Sequence, residues 1–295
     1  MYLWCLGKQT HWQGKTVVVC GASSGLGFSV AQELIRQRAG HLVVIARNAD
    51  QLQLAADRLQ EMASQLSGDS LVPPPSNRST LITPIVADMV DKGSVSSAVG
   101  KIEKVTAGVD LVVQAVGVSD RGTILNLSRE RLMELVDANL VTSLHAVQCF
   151  TPLLQSKAGV VVLIGSLSSF FAPRFLGGYS IAKHGLVALA QQSRLELAEK
   201  NIHVTLCCPG PIARPDAGSR YRDKGASDDL PTEAKMPGGG AKIKGLSAEG
   251  LSRDLLRAAW RRSPLLIRPR KAWWLRLVSH LSVRVGELIL RSKSS

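Results

Sequence analysis

Thr16-Val17-Val18-Val19-Cys20 runs directly into Gly21-Ala22-Ser23-Ser24-Gly25-Leu26-Gly27. The first five residues are β-branched or apolar with no polar alternation, the pattern of a strand buried on both faces. The glycines then turn the chain into a helix-period segment, 25–38. A strand that ends in a glycine-rich turn and opens a helix can bring backbone N–H groups and the positive end of the helix dipole to an anion such as a pyrophosphate. The spacing is G-x-x-x-G-x-G, without the lysine of a P-loop and unlike the G-x-G-x-x-G dinucleotide fingerprint. A tight turn with packing glycines is the alternative reading of the same residues.

Outward from this stretch the same alternation repeats. Apolar runs at 42–46, 81–86, 111–116, 160–165 and 203–209 read as further strands, separated by helical stretches at 48–66, 92–106, 128–156 and 179–199. Continuous apolar strands between helices predict an α/β fold: a doubly wound Rossmann fold with a central parallel sheet and helices on both faces. Two interruptions are expected to be loops: 67–80, with Pro73-Pro74-Pro75, and 211–247, rich in Pro, Gly and charge, which is either a substrate lid or a disordered insertion. The organisation expected is an N-terminal extension, 1–13, a single domain, 14–250, and a basic amphipathic extension, 251–295.

Hydrophobic residues make up 45% of the 295-residue chain and charged residues 20%, which excludes the disordered class. The formal net charge of +13 is unevenly placed: residues 251–295 hold 11 Lys/Arg against 2 Asp/Glu. That concentration speaks of a partner for the tail, and no nucleic-acid module accompanies it, so nucleic acid is not expected as a partner. Cys5, Cys20, Cys149, Cys207 and Cys208 form no CxxC pair and no metal-ligand spacing with histidine. No metal site is expected, and a reducing, cytoplasmic compartment fits. The chain contains no signal-like run and no uncharged apolar stretch long enough for a membrane span.

The second strand ends Ile45-Ala46-Arg47. Where dinucleotide sites carry an acid for the ribose 2′-OH, an arginine suits a 2′-phosphate, so NADP(H) is favoured over NAD(H). Arg47 as a solvated strand-end charge is the alternative. Tyr179-Ser180-Ile181-Ala182-Lys183 sets a tyrosine and a lysine one helical turn apart on one face. An ammonium there favours the phenolate, as acid/base work requires. Ser166 follows the strand of 160–165, at the carboxyl edge where open α/β sheets bind ligands.

Taken in order, CGASSGLG (20–27), Asp88 after the third strand, DLVVQAVG (110–117), Asn139 in VDANL, IGS (164–166), YSIAK (179–183) and CPGPI (208–212, after Cys207) resemble the short-chain dehydrogenase/reductase family over about residues 14–212. The resemblance implies a catalytic group of Asn139, Ser166, Tyr179 and Lys183. Tyr179 would donate a proton to a substrate carbonyl or take one from an alcohol, and Lys183 would lower its pKa and bind the nicotinamide ribose. Ser166 would polarise the substrate oxygen, and Asn139 would hold a water in a proton relay. The implied cofactor contacts are Gly21, Ser23, Ser24, Gly25, Leu26 and Gly27 at the pyrophosphate, Arg47 at the 2′-phosphate and Asp88 at the adenine. Ala115 and Gly117 would line the site, and Pro209, Gly210 and Ile212 would face the nicotinamide amide. The chain departs from the family pattern at Cys20 for threonine, at Gln114-Ala115-Val116-Gly117 for Asn-Asn-Ala-Gly, and at Arg214 for threonine. These changes motivate a rival reading, a nucleotide-binding sensor or scaffold of the same fold without turnover.

Phe170, Phe171, Phe175 and Leu176 lie between Ser166 and Tyr179 and serve either an apolar substrate, internal packing or a dimer contact. The tail from Lys271 puts Trp274, Leu277, Val278, Leu281, Val285, Leu288 and Ile289 on one helical face and Arg276, His280, Arg284, Glu287 and Arg291 on the other. Such a helix either lies in a membrane interface or packs on protein. The expectation is a carbonyl or alcohol oxidoreductase for a lipid-, steroid- or retinoid-like substrate, peripheral on a membrane's cytoplasmic face. The family resemblance adds a homo-dimer or homo-tetramer.

Overall fold

The structure, a computed structural model, describes residues 11–68, 79–213, 245–281 and 285. Of the sequence expectations, most of the proline-rich loop, residues 214–244 of the expected lid with Arg214, and most of the tail beyond 281 lie outside the described residues. So do residues 1–10, Cys5 among them.

The chain alternates strand and helix from its first described element. It runs β1 (Thr16–Cys20), α1 (Gly25–Arg36), β2 (His41–Ala46), α2 (Ala49–Gly68), β3 (Leu81–Val86), α3 (Lys92–Glu103) and β4 (Leu111–Gln114). It continues through α4 (Arg129–Val136), a π turn (Asp137–Val141), α5 (Thr142–Gln155), β5 (Val160–Ile164), α6 (Gly177–Leu197) and β6 (His203–Pro209). After residues 214–244 come α7 (Ala248–Trp260), β7 (Leu265–Arg268) and α8 (Ala272–Leu281). The strands form one seven-stranded sheet in the order β3-β2-β1-β4-β5-β6-β7, parallel throughout. This is the doubly wound α/β fold expected from the alternation.

Strand side chains alternate between two cores. Val18, Val43, Val112 and Val161 face α3, α5 and α6, where Ile102, Phe150 and Leu186 close the layer. Val17, Val44, Leu111 and Val162 face α1, α2 and α7 through Leu34, Leu59 and Leu255. Burial on both sides explains why the central strands read as unbroken apolar runs. β3 is the exception: it sits at the sheet edge, is largely exposed, and tolerates Pro84 because an edge strand needs fewer ladder donors.

The sheet contains a strand that the sequence reading missed. Leu265–Arg268 pairs with Leu206–Pro209, and α7 before it packs on α1. The domain therefore runs past residue 250, at which the sequence reading ended it. Four residues inside a basic stretch, LLIR, lack the length or flanking punctuation to stand out as a strand. At the other end Trp12, assigned to the extension, is 2% exposed and donates from Nε1 to the Leu256 carbonyl at 3.2 Å, tying the start of the domain to α7.

The strand order reverses direction between β1 and β4, and the crevice at that switch point is where such sheets bind ligands. Replacing the fully buried Phe150 with alanine is expected to lower stability by about 3–5 kcal/mol, against no more than about 0.5 kcal/mol for the exposed Leu54→Ala, measured by urea unfolding.

Candidate active site

The crevice at the carboxyl edge of the strands holds a cavity of about 440 Å³. It brings together Gly21, Ser23, Ser24, Leu26, Arg47, Asp88, Ala115, Gly117, Asn139, Ser166, Tyr179, Lys183, Pro209, Gly210 and Ile212. Gly25 and Gly27 are the two expected residues outside its lining, and their place explains the turn. Gly21 has φ +81° and Gly25 φ +57°, both in the left-handed region. A Cβ on Gly27 would fall 2.2 Å from the Gly21 carbonyl oxygen, so α1 can only start this close to β1 if that side chain is missing. Ser24 is the N-cap of α1 and makes no side-chain cap bond. The helix start thus keeps backbone donors for a ligand, which fits an anion such as a pyrophosphate.

At the next loop, Asp88 Oδ1 accepts from the Val90 N–H at 2.9 Å, which fixes the carboxylate at the cavity wall. Arg47 is exposed, and Asn48 beside it accepts from Gln51 N at 2.8 Å as the start of α2. Cys20, where the family has threonine, is fully buried, and burial pushes its thiol up to about 12. Gln114 is 1% exposed with neither amide atom hydrogen-bonded, a substitution that leaves polar groups buried without compensation.

Lys183 is 3% exposed in the first half of α6, and its Nζ donates to the Ile164 carbonyl at 2.8 Å, at the end of β5. The same Nζ lies 5.7 Å from the centroid of the Tyr179 ring and 3.4 Å from where a Cβ on Gly117 would be. Burial lowers its pKa to about 8 from an ordinary 10.5. At pH 7 it is still the ammonium, now in a site of low dielectric where it acts strongly on neighbouring charge.

Ser166 follows β5 by two residues and opens a 3₁₀ turn, Leu167–Ser169, as its N-cap. Its Oγ accepts from the Ser168 N–H at 3.1 Å, while its own N–H donates to Ser169 Oγ at 3.1 Å. The acceptor side of the hydroxyl is held, so its hydrogen can be directed to a second oxygen. Asn139 sits in the π turn that divides the expected 128–156 helix, fully buried. Its Nδ2 donates to the carbonyls of Val118 at 2.8 Å and Leu135 at 2.9 Å, and its Oδ1 accepts from Val118 N at 3.2 Å. With both N–H groups committed to backbone, this side chain clamps the loop after β4. The side chain thereby has a positioning role of its own, besides the water-holding one expected for the residue.

The aromatic loop resolves in favour of packing. Phe171 is buried in the core, Phe170 packs on it beneath Arg276, and Phe175 is covered by Arg174. Only Leu176 of the four lines the cavity, joined by Leu167, Val118 and Pro173. Sequence reasoning missed Val118, Ser119 and Arg121 here. Arg121 is 6% exposed and donates to its neighbour's carbonyl, Asp120 O, at 2.8 Å, while the Asp120 carboxylate takes Arg131 at 2.7 Å. A Ser-Asp-Arg-Gly turn reads as solvated, and nothing local marks its arginine as a wall residue.

The ends of the expected lid are clipped together: Ala213 N donates to Leu246 O and Leu246 N to Pro211 O, each at 2.8 Å. Cys207 and Cys208 are buried core residues, as expected, with the Cys208 thiol pushed up to about 12 by burial. His145 and His184 bond to the carbonyls of Met89 and Ser180. Among the described residues no group of His, Cys, Asp and Glu could hold a metal ion.

Residues 15–225 match the short chain dehydrogenase family. A dehydrogenase/reductase SDR family protein 7-like from Anopheles gambiae is 30% identical over 290 residues, covering 96% of this chain and 84% of that one. The D-beta-hydroxybutyrate dehydrogenase of Rhizobium meliloti (strain 1021) is 26% identical over 220 residues, 74% of this chain and 80% of its own. The crystal structure of L-sorbose reductase from Gluconobacter frateurii, complexed with NADPH and L-sorbose, has the same fold with a TM-score of 0.70 at 20% identity. It covers 86% of this chain and 95% of that one. An alcohol dehydrogenase from the archaeon Thermococcus sibiricus, complexed with 5-hydroxy-NADP, gives 0.66 at 21% identity and the same coverages.

The lowered pKa of Lys183 has a measurable sign. The folded chain gives up this proton near pH 8 and the unfolded chain near 10.5, so the cost of the buried charge is present below pH 8 and relieved as pH rises through that window. Relative to Lys183→Met, the wild type is expected to gain at most about 3 kcal/mol of stability between pH 7 and 10.5, read by paired denaturant titrations. A pH-independent difference would contradict the buried ammonium.

Proposed function

The chain belongs to the short-chain dehydrogenase family, and on that premise we propose that it is an NADP(H)-dependent oxidoreductase interconverting a carbonyl and an alcohol, with Tyr179 as its acid/base. The observation that carries this is the Lys183 ammonium, buried at the end of β5 and turned toward the Tyr179 ring.

The nicotinamide cofactor supplies or accepts the hydride. The protein's part is position and protons. The start of α1, with Gly21, Ser23 and Ser24, fits the pyrophosphate, and Asp88 the adenine. Arg47 supports a 2′-phosphate, hence NADP(H) over NAD(H), and both neighbours of similar fold were solved with an NADP-type ligand. Pro209, Gly210 and Ile212 would meet the nicotinamide amide. Ser166, its Oγ oriented by the Ser168 N–H, would donate its hydrogen to the substrate oxygen while Tyr179 transfers a proton to it. Lys183 favours the phenolate left behind, and Asn139 holds the loop that forms the opposite wall.

Leu167, Leu176, Val118 and Pro173 support an apolar substrate, with a lipid-, steroid- or retinoid-like ketone or aldehyde as the class proposed. The proposal also has the protein working as a homo-dimer or homo-tetramer in a reducing, cytoplasmic setting, in keeping with free Cys20, Cys149, Cys207 and Cys208.

Fluorescence titration is expected to give tighter binding of NADPH than of NADH, and Arg47→Asp to remove that preference by at least about tenfold. Tyr179→Phe is expected to lower kcat by about 10²–10⁴-fold in a carbonyl-reduction assay while leaving NADPH affinity within about twofold. Full activity in the Phe variant would sink the mechanism, and tight NADPH binding without turnover on any carbonyl would favour a nucleotide sensor.

A further inference from the structure

The helix α8 seats Ala272 in the core and leaves its two tryptophans on the surface. Arg276, from its polar face, points inward and lies 4.6 Å over the Phe170 ring. Trp274 and Leu277, from its apolar face, point outward at 65% and 39% exposure, with Trp273 beside them at 49%. The two tryptophans meet edge to face at 5.3 Å, a rigid aromatic pair standing on the surface. Arg270 and Lys271 are exposed at the start of the helix, and from Trp260 to Leu281 the sequence has no Asp or Glu.

A second apolar group stands at the far end of the same substrate-side loop. Phe170, under Arg276, begins it, and Gly177, with Ile124 packed 3.1 Å from its built Cβ position, ends it. Ile124 is 60% exposed and Leu125 is 91% exposed. Arg174 is exposed in the same loop, over the Phe175 ring. The segment with Ile124 and Leu125 follows β4 and α8 follows β7, so both patches leave the sheet from its carboxyl edge, the edge that carries the cavity wall of Leu167, Pro173 and Leu176.

We propose that this rim, Trp273, Trp274 and Leu277 on one side and Ile124 and Leu125 on the other, seats the enzyme on an anionic lipid bilayer, so that the mouth of the cavity opens onto the membrane. Tryptophans with flanking cations and no acids are the side-chain set of a helix lying in the headgroup layer. Each basic residue near such a surface adds to the attraction, which salt weakens. Among the described residues no helix is long and apolar enough to cross a membrane, so the contact is peripheral. Delivery of an apolar substrate from the bilayer rests on the carbonyl-reductase reading, whereas the seating itself does not.

The test is co-sedimentation of the full chain with vesicles of phosphatidylcholine, with and without phosphatidylserine, at low and high salt. Binding is expected only with phosphatidylserine, weakening with salt. It should fall at least about tenfold in Trp273→Ala/Trp274→Ala, in Arg270→Glu/Lys271→Glu and in Ile124→Ser/Leu125→Ser. NADPH affinity should stay at the wild-type value in all three, which shows that they fold. No binding to the anionic vesicles, or binding that none of the variants weakens, overturns the proposal. So does a dimer that dissociates in the tryptophan variant, since a second copy would then cover the face. Vesicle binding without reductase activity would remove the enzymatic reading and leave the surface standing.

Discussion

A lysine ammonium taken out of water needs a fixed acceptor and a reason to stay charged. Around Lys183 both come from the backbone. The Ile164 carbonyl at the end of β5 takes the proton donor, which is available because a strand's last carbonyl faces the crevice and not another strand. That one bond requires β5 to end where it does, α6 to start on its own side of the crevice, and Gly117 to leave room opposite. Asn139 secures the third wall by bonding Val118 in both directions. The site is therefore built from main chain, with side chains placed against it, and its cost in stability is the desolvation of one charge.

Much of this was legible in the residues. Of the six strands read from the sequence, the five central ones stand out because a parallel sheet covered on both faces leaves few polar positions to blur the pattern. The order of motifs from Gly21 to Ile212 predicted which residues gather at the carboxyl edge, and fifteen of the seventeen named line one cavity. Gly25 and Gly27 stood outside because they shape the turn from behind it.

The remainder was hidden for physical reasons. The π turn at Asp137–Val141 follows from a side-chain amide taking the Leu135 carbonyl, a bond that no hydrophobic period records. Arg121 is a wall residue in a loop that Asn139, well downstream, holds at Val118, a pairing that no local pattern records. For Phe170 and Phe171 substrate surface, packing and dimer contact stayed open, because local sequence says which residues are apolar but not which way a turn points them. The same limit applied to α8, where the sequence lists apolar and basic positions but not that Arg276 lies over the Phe170 ring.

The last strand has a bearing on how much of the chain counts as the enzyme. Every residue implicated in chemistry precedes position 213, yet β7 covers the flank of β6 from Leu206 to Pro209, and Gly210 donates to the Arg268 carbonyl at 2.7 Å. A chain ending at residue 250 would carry the whole chemical inventory and still expose that flank as an apolar row of unpaired donors and acceptors. Such an edge invites strand addition from another molecule. In this protein the residues proposed to react and the strand that covers the sheet's flank lie in different stretches of the sequence, and a fragment can retain the first without the second.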